Sequence, residues 1–81
     1  MGFADNMNDF QRTEMQSIKS RNMGGGGWTL KEFGHRVEAG RVIVHCKRVN
    51  VEKKSEHVLE YEIDSRGFSK VTLDAQGSIT L

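Results

Sequence analysis

Two copies of one turn signature, Asp64-Ser65-Arg66-Gly67 and Asp74-Ala75-Gln76-Gly77, lie close together with alternating apolar residues around them. In each, the Asp side chain can accept the turn's amide hydrogen bond, and the Gly supplies the positive φ that a three-residue hairpin loop with a G1 bulge demands. Both are therefore expected to be hairpin turns, and together they fix a register. Pairing Asp64 with Phe68 sets Tyr61 opposite Val71, Leu59 opposite Leu73 and Glu62 opposite Lys70. Pairing Asp74 with Ser78 sets Leu73 opposite Ile79, Val71 opposite Leu81 and Thr72 opposite Thr80. The inward residues of these strands share one face, and a slip of one residue would invert the set.

The segment upstream extends the sheet. Val42, Val44 and Cys46 form one apolar set and Leu59, Tyr61 and Ile63 another, each at strand spacing. A four-residue loop at 52–55, centred on Lys53-Lys54, sets Val44 opposite Ile63, Cys46 opposite Tyr61 and Val49 opposite Val58. The same register pairs Lys47 with Glu60 and His45 with Glu62, opposite charges that support it independently.

Two helices are predicted. Thr29-Leu30-Lys31-Glu32 reads as a capping box, flanked by Trp28 and Phe33 where a hydrophobic staple needs them. Leu30, Phe33 and Val37 then form one face, and Gly40 stands where a left-handed stop belongs. Gly34 inside this helix costs up to about 1 kcal/mol relative to Ala. Further upstream, Asn8 followed by Gln11 offers a second capping arrangement for a helix over 9–21, with Phe3, Met7, Phe10, Met15 and Ile18 as a narrow apolar stripe.

The predicted class is α+β. It comprises a four-stranded antiparallel meander (41–51, 57–64, 68–74, 78–81), one packed helix (29–39) and an N-terminal helix (9–21). Residues 1–23 read as an arm, 24–27 as a glycine linker and 28–81 as the single domain. A folded unit of about 55 residues is marginal alone.

The 81 residues carry 12 basic and 11 acidic side chains, a net charge of +1, so no global field steers the chain onto nucleic acid or an anionic membrane. Its apolar runs fall far short of the roughly 20 residues that span a bilayer. The single Cys46 cannot form an internal disulfide, so the expected setting is reducing and cytoplasmic.

Catalytic, metal and cofactor chemistry find little support in the pattern. His35, His45, Cys46 and His57 are ligand types without ligand spacing, and the register separates His45 from Cys46 and His57. Cys46 between apolar neighbours reads as a small hydrophobe. Glu60 and Glu62 share a strand face, yet each has a basic cross-strand partner, so they read as a charge ladder rather than an acid and base pair. The glycine run lacks the Lys and Ser/Thr of a phosphate loop. The expectation is a protein that is not an enzyme and needs no cofactor.

Association is the better-founded function. The strand 41–51 is expected to present an unpaired edge, and Ile43, Val49 and Val58 fall on the face away from the helix. Together with Met7, Phe10, Met15 and Ile18 of the arm, they are the predicted contacts of a small regulatory or interaction protein that forms a homodimer or binds another protein. The alternative is nucleic-acid binding through Arg41, Lys47, Lys53, Lys54 and Lys70. That face lacks stacking aromatics, with Phe68 beside a turn as the nearest one.

Overall fold

A computed structural model of the chain describes residues 7–79. One helix, α1 (Asp9–Arg21), precedes four strands: β1 (Trp28–Glu38), β2 (Arg41–Asn50), β3 (Ser55–Ile63) and β4 (Ser69–Ser78). The strands form a single antiparallel sheet in the order β1-β2-β3-β4. The class is α+β with a four-stranded meander, as the sequence pattern implies, but the helix that packs on the sheet is the one expected at 9–21, and the segment expected to be the packed helix is a strand.

The helix is the one at the N-terminus. Asn8 Oδ1 accepts from the Gln11 amide at 2.8 Å while Gln11 Oε1 accepts from the Asn8 amide at 3.0 Å, a reciprocal capping box. Rather than forming a tethered arm, α1 packs on the sheet: Met7, Met15 and Ile18 are buried with Val42, Val44, Cys46, Leu59, Tyr61 and Ile63. Gln11, only 2% exposed, donates through Nε2 to Gly40 O at 2.9 Å and Asp64 O at 3.2 Å. Asn8 Nδ2 donates to Ser65 O at 2.8 Å. The start of the helix is thereby fastened to the β1–β2 and β3–β4 turns together. At its other end Asn22 donates through Nδ2 to Ile18 O and to the Tyr61 hydroxyl.

Of residues 29–39, predicted to be helical, 29–38 belong to β1 instead. A bulge interrupts the ladder between Leu30, opposite Arg48, and Glu32, opposite Lys47, so that Lys31 is the extra residue. The half-buried positions therefore change from even (Trp28, Leu30) to odd (Phe33, Val37). A bulged strand has thus acquired the 30, 33, 37 spacing of a helix face. Ala39 and Gly40, with φ of 51° and 77°, form a two-residue hairpin turn joining Glu38 to Arg41. Gly40 turns a hairpin rather than stopping a helix. Pairing β1 with β2 also covers the edge that was expected to be open along 41–51.

Two registers change as well. The β2–β3 loop is 51–54, not 52–55, which moves the pairing by two residues: Val42 faces Ile63, Val44 faces Tyr61, Cys46 faces Leu59 and Val49 faces Glu56. A shift of two preserves every face. Its cause is Asn50, fully buried, whose Oδ1 accepts from the Lys53 amide at 3.1 Å and whose Nδ2 donates to Gly26 O at 3.0 Å. The glycine run is part of this anchor rather than a free linker. All four of its residues have positive φ, and a Cβ on Gly27 would lie 3.2 Å from Asn50 Nδ2.

The first Asp-x-x-Gly sequence is a hairpin turn. The Asp64 amide donates to Phe68 O, Asp64 Oδ1 accepts from the Arg66 and Phe68 amides, and Gly67 has φ 88°. The second is not a turn, because β4 runs straight through it to Ser78. Stopping at Asp74 would leave the first part of β3 paired on one edge alone, with β2, whereas the continuous strand pairs Leu59 with Asp74, His57 with Gln76 and Ser55 with Ser78. A bulge between Glu60 and Tyr61 leaves Thr72 as the extra residue, so Leu73 faces Glu60 rather than Leu59. The expected strand at 78–81 is absent as far as Ile79; Thr80 and Leu81, like Phe3, lie outside the described residues.

Candidate interaction surfaces

One helix about 10 Å across cannot cover four strands spaced about 4.8 Å apart. α1 lies over the central pair, β2 and β3. Among the described residues both flanks of the inner face are left short of cover, and the two flanks differ in chemistry.

On one flank, β4 is exposed at nine of its ten positions. Val71, opposite Tyr61 on the inner face, is 51% exposed; Leu73, turned by the bulge to the outer face opposite Glu60, is 41% exposed; and Phe68 just before the strand is 65% exposed. Among the described residues the outer edge of β4 pairs with nothing. Ser69 is tied to the helix, donating through Oγ to Glu14 Oε2 at 2.5 Å. On the other flank, β1 also presents an edge, but one broken by its bulge and studded with exposed Lys31, Glu32, His35, Arg36 and Glu38.

The outer face is a charge ladder. His45 stands between Glu60, 3.1 Å from Nδ1, and Glu32, 3.2 Å from Nε2. A carboxylate only accepts, so both contacts are hydrogen bonds together only when both ring nitrogens carry a proton. Glu62 takes Arg41 at 3.6 Å and Lys70 at 3.7 Å, and Lys47 takes Glu56 at 3.6 Å. The two-residue register shift thus replaces the expected pairs of His45 with Glu62 and Lys47 with Glu60, while Glu62 with Lys70 stands. Ile43, Val49 and Val58 do lie on this face and are half-buried, flanked by Arg36 and Glu62, Thr29 and Glu56, and Lys47 and Ala75 respectively.

Of the four arm residues expected to meet a partner, Met7, Met15 and Ile18 are instead buried against the chain's own sheet; Phe10, 69% exposed, is the exception. Of the five cations of the nucleic-acid alternative, Arg41, Lys47 and Lys70 are each within ion-pair distance of a carboxylate, and Lys53 and Lys54 sit in the β2–β3 loop.

A further cluster escaped sequence reasoning. At the end of the inner face beyond the helix, Arg48 Nη2 donates to His57 Nδ1 at 2.9 Å, and His57 Nε2 donates to Asp74 Oδ1 at 2.6 Å. Arg48 also stacks 5.0 Å from the Trp28 ring centroid. This chain links all four strands and fixes the His57 tautomer. It depends on the β3–β4 bulge, which no local pattern announces.

Cys46 is fully buried, and burial pushes its thiol above the ordinary 9.0 despite the opposing charge of Arg48. The thiol is held protonated and out of reach. Among the described residues no three His, Cys, Asp or Glu side chains converge as a metal site, and no helix is long and apolar enough to cross a membrane. Compared with protein-family models, curated proteins and solved structures, the chain matches none.

Proposed function

We propose that the protein is an interaction module that self-associates through the free edge of β4, two copies joining antiparallel across a two-fold axis into one eight-stranded sheet. The observation that carries this reading is the exposure of β4 at nine of ten positions, with an edge that is unpaired among the described residues. Such an edge templates strand addition unless something blocks it. The chain contains no proline, and β4 carries only Lys70 and Asp74 as charges, of opposite sign.

The other edge favours closure at two copies. After β4 pairs with its counterpart, the outermost strand on each side is β1, whose exposed Lys31, Glu32, His35, Arg36 and Glu38 oppose further addition. Pairing also covers Val71 and Leu73 at the junction, adding the burial that so small a domain needs.

Sedimentation equilibrium tests the reading with the wild-type chain and the double variant Val71→Lys/Leu73→Lys. Both positions are exposed, so the fold should persist. A wild-type dimer at micromolar concentration that becomes monomeric in the double variant is the expected result. A wild-type monomer at high micromolar concentration, or a dimer indifferent to both substitutions, would refute it.

A further inference from the structure

The other flank of the sheet offers a different chemistry. Because α1 lies over β2 and β3, the space between its C-terminal end and β1 is an open groove of about 460 Å³. That volume falls within the roughly 300–1,000 Å³ of small-ligand sites. Its apolar walls are Trp28, Leu30 and Phe33 of β1 and Met23 from the segment after the helix, the last 57% exposed.

Charge selects what the groove can hold. Lys19 and Lys31 stand on its rim, and among the described residues neither is within ion-pair distance of a carboxylate. Lys19 Nζ lies 5.5 Å from the Phe33 ring centroid, so the cation sits directly beside the apolar wall. Glu32 also lines the groove, but its carboxylate is drawn to His45 Nε2 at 3.2 Å. Three of the last four carbonyls of α1, which would repel an anion, accept hydrogen bonds: the Asn22 amide donates to Ile18 O and Lys19 O, and the Met23 amide to Ser20 O.

We propose that this groove binds a free, water-soluble amphipathic monocarboxylate, its apolar body against Trp28, Leu30 and Phe33 and its carboxylate at Lys19, with Lys31 on the same rim. The pairing is one of complements: an apolar wall in water, beside ammonium groups that lack a counter-ion among the described residues. The site is separate from the β4 edge, so either proposal can fail without the other.

Trp28 is the chain's single tryptophan and lines the groove, which makes its emission a direct reporter. The full chain is titrated with octanoate and, separately, with octan-1-ol, which has the same body and no charge. Octanoate is expected to change Trp28 emission saturably and to bind about tenfold more tightly than octan-1-ol. Lys19→Met, at an exposed position and retaining an apolar stem, should bring octanoate down to the level of octan-1-ol; Lys70→Met, on the outer face of β4 at the opposite side of the sheet from β1, should alter neither. No saturable change with either probe overturns the proposal. So does equal affinity for the two probes in the wild-type chain, or an octanoate preference that survives Lys19→Met.

Discussion

Replacing Gln11 with methionine should cost more than any other single change in the helix that preserves side-chain volume. The substitution keeps the bulk and helix propensity of the side chain but removes its polar atoms. Gln11 is 2% exposed and serves three backbone groups: the Asn8 amide, Gly40 O and Asp64 O. An orphaned buried group costs about 1–3 kcal/mol. Gly40 is exposed and Asp64 half-buried, so their carbonyls regain part of their hydration. The low end of the range applies to each, giving a total of about 2–4 kcal/mol. A chain of this length has on the order of 4–12 kcal/mol of stability altogether, so the loss is a large fraction. Urea unfolding followed by circular dichroism measures it, with an unchanged slope and a lower midpoint. In heat, each 1 kcal/mol lowers Tm by about 4–8 °C for a domain this size. Gln16→Met, exposed on the same helix, is the control and should stay within about 0.5 kcal/mol of wild type. If Gln11→Met is no worse than Gln16→Met, the helix is not clamped to the two turns and the account of how α1 is placed is wrong.

Other consequences follow from the β3–β4 turn. Amide hydrogen bonds, first that of Phe68, and the Arg66 guanidinium hold the Asp64 carboxyl below its ordinary 3.8. As pH falls the unfolded chain therefore takes up this proton first, so the stability Asp64 supplies is complete above about pH 4 and is lost as pH drops through its folded value. A carboxyl titration by NMR should find Asp64 below 3.8, and Asp64→Asn should remove its share of the acid-limb slope; a normal titration would contradict the turn geometry. Gly67→Ala places a Cβ 2.9 Å from Phe10 Cβ and Phe10 O at a φ of 88°. It should destabilise by more than the roughly 1–2 kcal/mol of a left-handed residue alone, read by urea unfolding. A loss below that range would mean that Phe10 is not packed on the turn.

Local signals and long-range ones were unequally legible. The Asn8 and Gln11 box lies within one helical turn, so its residues announce it, and the strict alternation of Val42, Val44, Cys46 and of Leu59, Tyr61, Ile63 set their faces correctly even though the β2–β3 register moved by two. β1 was hidden because its bulge at Lys31 gives Leu30, Phe33 and Val37 helical spacing, and Thr29 with Glu32 imitates a cap. Gly34, Val37 and the Ala39-Gly40 pair were signals for a strand and hairpin. Asp64 and Asp74 introduce the same pattern, yet only the first turns, because β3 needs a second neighbour as far back as Ser55, a non-local demand. The Arg48, His57 and Asp74 chain depends on that same pairing. Exposure along β4 was equally out of reach, since it follows from one helix covering only two of four strands.

Amide hydrogen exchange of the two edge strands at increasing protein concentration tests the central claim most directly. Pairing through β4 predicts that amides on its outer edge gain protection as concentration rises, while those on the outer edge of β1 stay as they are. Concentration-independent exchange along β4, or protection that grows on β1 instead, would contradict it.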